Sequence, residues 1–252
     1  MLFGRNGESP VPILSPATPA ECFELAIEAF RIAVRSMTPV FLLSDGYVAT
    51  SSEPWRIPDP EGIPPIEVEH YSDPAGYHPY MRDEVNLGRP WVVPGTPGLE
   101  HRVGGLGKQD ITGNVSYDPD DHQHMVGTLQ AKVDRVADRI PEQSVDGPEW
   151  GDLLVVGWGS TYGAIRSAVR RSQQKGQKVA FAHVRYLNPF PRNLGDILLK
   201  YDKVLVPELN GGQLAHLLDA KYPLKVISYP KVQGQTFRIS EITAKIDDLL
   251  DS

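Results

Sequence analysis

The chain has 252 residues, 40% of them hydrophobic and 23% charged, and a formal net charge of −7. That is the ordinary balance of a globular protein, with acids and bases too evenly mixed for a general nucleic-acid binder. No apolar run nears the ~20 residues of a membrane helix, and the opening MLFGRNGESP lacks the apolar core of a secretory signal, so a cytoplasmic chain away from membranes is expected.

The predicted elements fall into three regions. In residues 1–53, Val11-Pro12-Ile13-Leu14 reads as a short strand. Thr18 can cap the helix that follows, with Pro19 at its first position. From Glu21 to Met37, apolar residues at Phe23, Ile27, Phe30 and Val34 keep the spacing of an amphipathic helix. Pro39 ends it, and Val40-Phe41-Leu42-Leu43 is a buried-type strand running into Ser44-Asp45-Gly46. A single β-α-β unit cannot enclose a core, so this region is expected to be completed by something else.

Residues 54–149 carry ten prolines between Pro54 and Pro97, which exclude long regular elements there. Trp55, Tyr71, Tyr77, Tyr80 and Trp91 make the segment too aromatic for a free linker, so it reads as a connector laid over a surface. A helix is predicted from Asp118, with one apolar stripe of Met125, Leu129, Val133, Val136 and Ile140. Residues 150–252 alternate strand and helix four times. Strands are predicted at 153–157, 179–183, 204–206 and 226–227, and helices at 162–174, 194–201, 213–221 and 241–249, a doubly wound parallel α/β domain.

Several stretches could carry chemistry. In "VVGWGSTYGAI", residues 155–165, Gly157, Gly159 and Gly163 give G-x-G-x-x-x-G, one residue longer than a dinucleotide fingerprint. The next strand ends His183-Val184-Arg185 with no acid for a ribose, although Arg185 could face a 2′-phosphate. A tight strand-to-helix turn is the favoured reading and NAD(P) binding the remote one. Trp158 occupies a position where a nucleophile elbow around Ser160 needs glycine. In "DPDDHQH", His122 and His124 would point about 200° apart on a helix, so no metal site is expected. "GGLGK", residues 104–108, lacks the spacing of a phosphate-binding loop. Ser44-Asp45-Gly46-Tyr47 lies at a strand end, where ligands of parallel sheets gather, but reads first as a turn. Glu208, Asn210 and Gln213 in "VPELNGGQLAHLL" read first as a capped helix and second as an anion or docking point. Cys22 is the only cysteine, so a disulfide or a cysteine-ligated zinc or iron–sulfur site within this chain is ruled out.

The order of segments adds a further signal. "ATPAECFELAIEAFRIAVRSMTPVFLLSDGYVATSSEPW" resembles the end of the pyrimidine-binding domain of thiamine-diphosphate-dependent 2-oxoacid:ferredoxin oxidoreductases. The stretch from Gly76 to Met125 resembles the connector of the 2-oxoglutarate-type α subunit, and "VVGWGSTYGAI", "HVRYLNPFP" and "VPELNGGQLAHLL" resemble the transketolase C-terminal-like domain that follows. The resemblance implies three parts: 1–53, the C-terminal part of the pyrimidine-binding domain; 54–149, the connector ending in a helix; and 150–252, the transketolase C-terminal-like domain. It implies oxidative decarboxylation of a 2-oxoacid, with 2-oxoglutarate the first choice, to acyl-CoA in a cytoplasmic, oligomeric complex. The partners implied are a β subunit, the remaining α/γ portion, ferredoxin and coenzyme A. Thiamine diphosphate, magnesium and an iron–sulfur cluster belong to the complete complex, with none held by this chain alone, which is expected to be inactive by itself. The substrate-gripping loops and the Gly-Asp-Gly diphosphate motif of the family are not in this sequence. By neighbourhood, Arg5, Asn6 and Glu8 would lie near the substrate loop, and Asp45 and Tyr47 at a strand end facing the cofactor cleft. A non-catalytic assembly module is the alternative.

Overall fold

The computed structural model describes all residues, Met1–Ser252. They form two compact units, each assembled from separated stretches: residues 1–13, 26–41 and 55–139 in one, and 14–25, 42–54 and 140–252 in the other. No helix is long and apolar enough to cross a membrane.

The first unit carries little regular structure, as ten prolines dictate. Its principal helix is α3 (Pro119–Asp134), for the chain's helices in order are α1 (Glu21–Ser36), α2 (Gly46–Thr50) and then α3. Asp118 caps α3 through the Asp120 N–H, and Pro119 takes the first turn, where no backbone donor is missed. Of the predicted stripe, Val133, Val136 and Ile140 are buried, while Met125 and Leu129 are half-buried. The connector's backbone is satisfied by short-range carboxylate caps, Asp59 to Glu61 N–H and Asp83 to the Val85 and Asn86 N–H groups. Side chains do the rest: Trp91 Nε1 donates to Val34 O at 2.8 Å, Arg89 lies over the Tyr80 ring, and Lys132 Nζ donates to Met37 O at 3.0 Å. Burial pushes the Lys132 ammonium down to about 8, and repulsion from Arg82 and Arg89 adds to it.

The expected apolar face of α1 is corrected. Leu25 and Ile32 are its buried apolar residues, whereas Phe23 is 38% and Phe30 59% exposed. The helix is apolar on more than one side, and spacing alone cannot tell which side finds a partner within the chain.

The second unit is the doubly wound sheet. Strands β3 (Gly151–Gly157), β4 (Val179–His183), β6 (Tyr201–Glu208) and β7 (Val226–Pro230) lie in the order β4-β3-β6-β7, all parallel. Helices α4 (Tyr162–Gln174) and α7 (Ile239–Asp251) close one face over Leu153, Val155, Phe181 and Leu205. Leu154, Val156, Val204 and Val206 on the alternate positions are equally buried, which is why these strands read as unbroken apolar runs. Helix α6 (Gln213–Lys221) packs on β6 and β7. Between β3 and β6 the strand order reverses, the switch point at which open α/β sheets gather ligands.

The expected helix 194–201 is shorter, α5 (Leu194–Leu198), because Tyr201 already belongs to β6. Strand β5 (Tyr186–Asn188) was not foreseen. It runs beside Leu14 of β1 (Ile13–Leu14), whose next residue, Ser15, donates its N–H to Arg185 O, while Leu43, just after β2 (Phe41–Leu42), donates to Leu14 O. Short strands of two or three residues carry no periodicity to read.

Candidate functional site at the carboxyl ends of the parallel strands

Residues just beyond β3, β6 and β7 line a cleft of about 840 Å³, with Trp158 after β3, Asn210 after β6 and Lys231 after β7. The opening glycines are explained by what surrounds them. A Cβ on Gly157 would stand 2.5 Å from Ile165 Cδ1. Gly159 has φ +57, and a Cβ there would stand 2.9 Å from Asp45 Oδ2. Gly163, the third of the set, faces open space. This is a turn built for close packing, with no cradle repeated at the third glycine.

Asp45 is the partner that needs that approach. The expected turn at residues 44–46 is instead the start of α2: Asp45 Oδ1 accepts from the Tyr47 and Val48 N–H groups at 3.0 Å. Its other oxygen accepts from Ser160 N–H at 2.8 Å. Partial burial pushes the Asp45 carboxyl up, but the bonds from Ser160, Val48 and Tyr47 outweigh it and hold its pKa below the usual carboxylate range. Tyr47, 57% exposed, lines the cleft beside it.

Glu208, which the sequence places in a capped helix start, has a larger task in the structure. It is fully buried at the end of β6. Its carboxylate accepts from Leu214 N–H (2.8 Å), Ala215 N–H (3.0 Å), Trp158 Nε1 (3.1 Å) and Asn210 Nδ2 (3.0 Å). The charge is held at the N-terminus of α6, where backbone donors have no partner of their own. Asn210 Oδ1 accepts from the Gly212 and Gln213 N–H groups. The indole of Trp158 is thereby locked, which the sequence did not announce, because Glu208 and Trp158 are fifty residues apart.

Arg185 does not face a phosphate site. Its Nε donates to both oxygens of Glu21, at 2.9 and 3.0 Å. His183 is buried, with the Tyr162 ring edge-on at 5.0 Å and Phe181 at 5.7 Å, and neither ring nitrogen has a hydrogen-bond partner. Burial drives its pKa down to about 3, with the Arg185 charge adding to the effect. His124 and His122 share α3 as expected; His124 Nε2 meets Asp110 Oδ2 at 2.9 Å.

In the first unit, Arg5, Asn6 and Glu8 are exposed on a tight turn. Arg5 has φ +61, Gly7 N–H donates to Gly4 O at 3.1 Å, and Arg5 Nε reaches Ser9 O at 3.3 Å. Gly4, Arg5, Asn6, Gly7 and Ser9 line a second, smaller cavity of about 370 Å³. The structure thus groups Arg5 with Asn6, and Asp45 with Tyr47.

Two stretches of the chain match described protein families. Residues 1–116 match the family described as pyruvate flavodoxin/ferredoxin oxidoreductase, thiamine diP-bdg. Residues 151–242 match pyruvate:ferredoxin oxidoreductase core domain II. Both descriptions are of oxidoreductases that act with ferredoxin, and the two matched stretches together take in most of the chain. Among its relatives it is 52% identical, over 96% of its length, to the 2-oxoglutarate oxidoreductase subunit KorA of Mycobacterium tuberculosis. It is 29% identical, over its whole length, to the α subunit of 2-oxoacid:ferredoxin oxidoreductase 2 of Aeropyrum pernix. The solved 2-oxoglutarate:ferredoxin oxidoreductase of Magnetococcus marinus, described with 2-oxoglutarate, coenzyme A and succinyl-CoA bound, matches 99% of the chain with a TM-score of 0.90 and 30% identity. The chain spans 37% and 40% of the lengths of the two curated relatives and 44% of the solved chain.

Proposed function

We propose that this chain is part of the α subunit of a thiamine-diphosphate-dependent 2-oxoacid:ferredoxin oxidoreductase, with 2-oxoglutarate as substrate. The observation that carries the reading is agreement of fold over nearly the whole chain with an enzyme described with that substrate. In the reaction, a 2-oxoacid and coenzyme A give acyl-CoA, carbon dioxide and a proton, and two electrons pass singly to two ferredoxins. When bound, thiamine diphosphate supplies the carbanion-stabilising chemistry of the decarboxylation.

The chain's own donors do not fit the resident groups. One thiol cannot ligate an iron–sulfur cluster, and no cluster of three or more His, Cys, Asp or Glu side chains stands ready for a metal ion. In this reading those groups are held by other residues of a cytoplasmic, oligomeric complex containing a β subunit, and ferredoxin and coenzyme A meet that complex. Residues 1–53, 54–149 and 150–252 are taken as the end of the pyrimidine-binding domain, the connector and the transketolase C-terminal-like domain. Arg5, Asn6 and Glu8 lie near the substrate, and Asp45 and Tyr47 near the cofactor. The positive φ of Arg5 supports its part, since a non-glycine residue held there costs energy that a functional position can justify. An assembly role by itself is the second reading, favoured by the 82% exposed Phe3 and 59% exposed Phe30.

The test is reconstitution of the complex with the remaining subunit portions. Coenzyme A-dependent reduction of ferredoxin by 2-oxoglutarate is expected. A complex that assembles but turns over no 2-oxoacid leaves the assembly role standing instead.

A further inference from the structure

We propose that the cleft at the ends of β3, β6 and β7 is a binding site for a nucleoside monophosphate. It lies at the switch point of the sheet, and its size of about 840 Å³ is that of a small-ligand site. Its walls supply the three things such a ligand needs. For the base there are aromatic faces: Trp158, whose indole N–H is fixed on Glu208, and the exposed Tyr47. An immobilised ring offers stacking without further ordering cost.

For the edge of the base or the ribose there is the Gln213 amide, exposed at the first turn of α6 and able to give or accept a hydrogen bond. For the phosphate there are two cations. Lys231 is 8% exposed and held by Glu241 Oε2 at 2.8 Å and Thr236 O at 3.0 Å, and that clamp also shapes the rim. Arg238, also in the lining, is exposed and outside any ion pair, so its planar fork is open to a phosphate.

The charge balance selects a monophosphate over longer phosphates. Lys231 is already half-committed to Glu241, leaving one open cation. Asp45, the carboxylate in the lining, has its charge spread over three N–H donors. A triphosphate would bring more negative charge than these groups can answer. The cleft shares Asp45 and Tyr47 with the neighbourhood that the proposed function assigns to the cofactor, yet the two readings fail separately: no nucleotide binding leaves the oxidoreductase reading intact, and no turnover leaves the nucleotide site intact.

The experiment is titration of the 252-residue chain with AMP and UMP, followed by ligand-observed magnetic resonance and calorimetry. Adenosine and inorganic phosphate serve as part-ligands, and the variants are Arg238→Ala and Gln213→Ala, both at exposed positions and checked for fold by circular dichroism. At least one nucleotide should bind with a Kd below about 1 mM. Arg238→Ala should weaken it about 10-fold or more, as loss of a charge-assisted bond requires, and Gln213→Ala about 3- to 10-fold. Adenosine should bind more weakly than AMP by a factor like that of Arg238→Ala. No binding of either nucleotide overturns the proposal. So does binding untouched by Arg238→Ala, or displacement of AMP by an equal concentration of inorganic phosphate.

Discussion

Replacing Glu208 tests the central claim about how the strand ends are organised. In Glu208→Ala four donors lose their acceptor at once. The Leu214 and Ala215 N–H groups are buried and sit where α6 has no earlier turn to receive them. A stranded buried donor costs about 1–3 kcal/mol, while the part-buried Trp158 and Asn210 donors recover some of their loss from water, so a destabilisation of about 3–5 kcal/mol is expected. Glu208→Gln is milder. Three of the four bonds converge on Oε1, which an amide oxygen can replace, and only the bond from Ala215 to Oε2 becomes a donor facing a donor. With the loss of a charge at a helix N-terminus, about 1.5–3 kcal/mol follows. The assay is hydrogen exchange at the Leu214 and Ala215 amides, which reads local opening without requiring the two units to unfold together. If protection in Glu208→Ala stays within about 1 kcal/mol of the parent, the carboxylate is not what anchors α6 and the reasoning fails.

The glycine turn gives a paired test by thermal denaturation. Gly159→Ala should destabilise by about 1–3 kcal/mol, because it combines a positive φ with a clash on Asp45, whereas Gly163→Ala, in open helix, should be neutral or stabilising by up to about 1 kcal/mol. Equal costs at both would restore the dinucleotide reading. Arg185→Lys should cost about 1 kcal/mol, since a bidentate fork on Glu21 becomes a point charge in a half-exposed pair, and the chain should show no affinity for NADPH in a binding titration. For His183 the folded pKa is depressed, so between pH 6.5 and about 3 the unfolded chain takes up a proton that the folded one refuses. Stability of the second unit should therefore fall as pH drops through that window, and His183→Phe should flatten the dependence in denaturant melts. Lys132 acts the same way at higher pH: with its folded value at about 8 against 10.5, stability of the first unit should rise between those values, and Lys132→Met should abolish the rise.

By itself the sequence determined the long elements and the class of fold. The strands at 153–157 and 179–183 and the helices at 162–174 and 213–221 are where their apolar runs and 3.6-residue periods put them, because burial on both faces of a parallel sheet leaves a signal local to each segment. The capping of α3 by Asp118 and the proline-broken connector were legible for the same reason. Tertiary structure alone decided which faces and polar groups meet. It turned Leu25 and Ile32, rather than Phe23 and Phe30, inward. It gave Asp45 the Ser160 N–H across 115 residues of chain and Arg185 the Glu21 carboxylate across 164. It also brought Glu208 under Trp158 and so fixed the wall of the cleft. Such pairings depend on which strand lies beside which, and a hydrogen bond between distant residues leaves no period or spacing in the sequence.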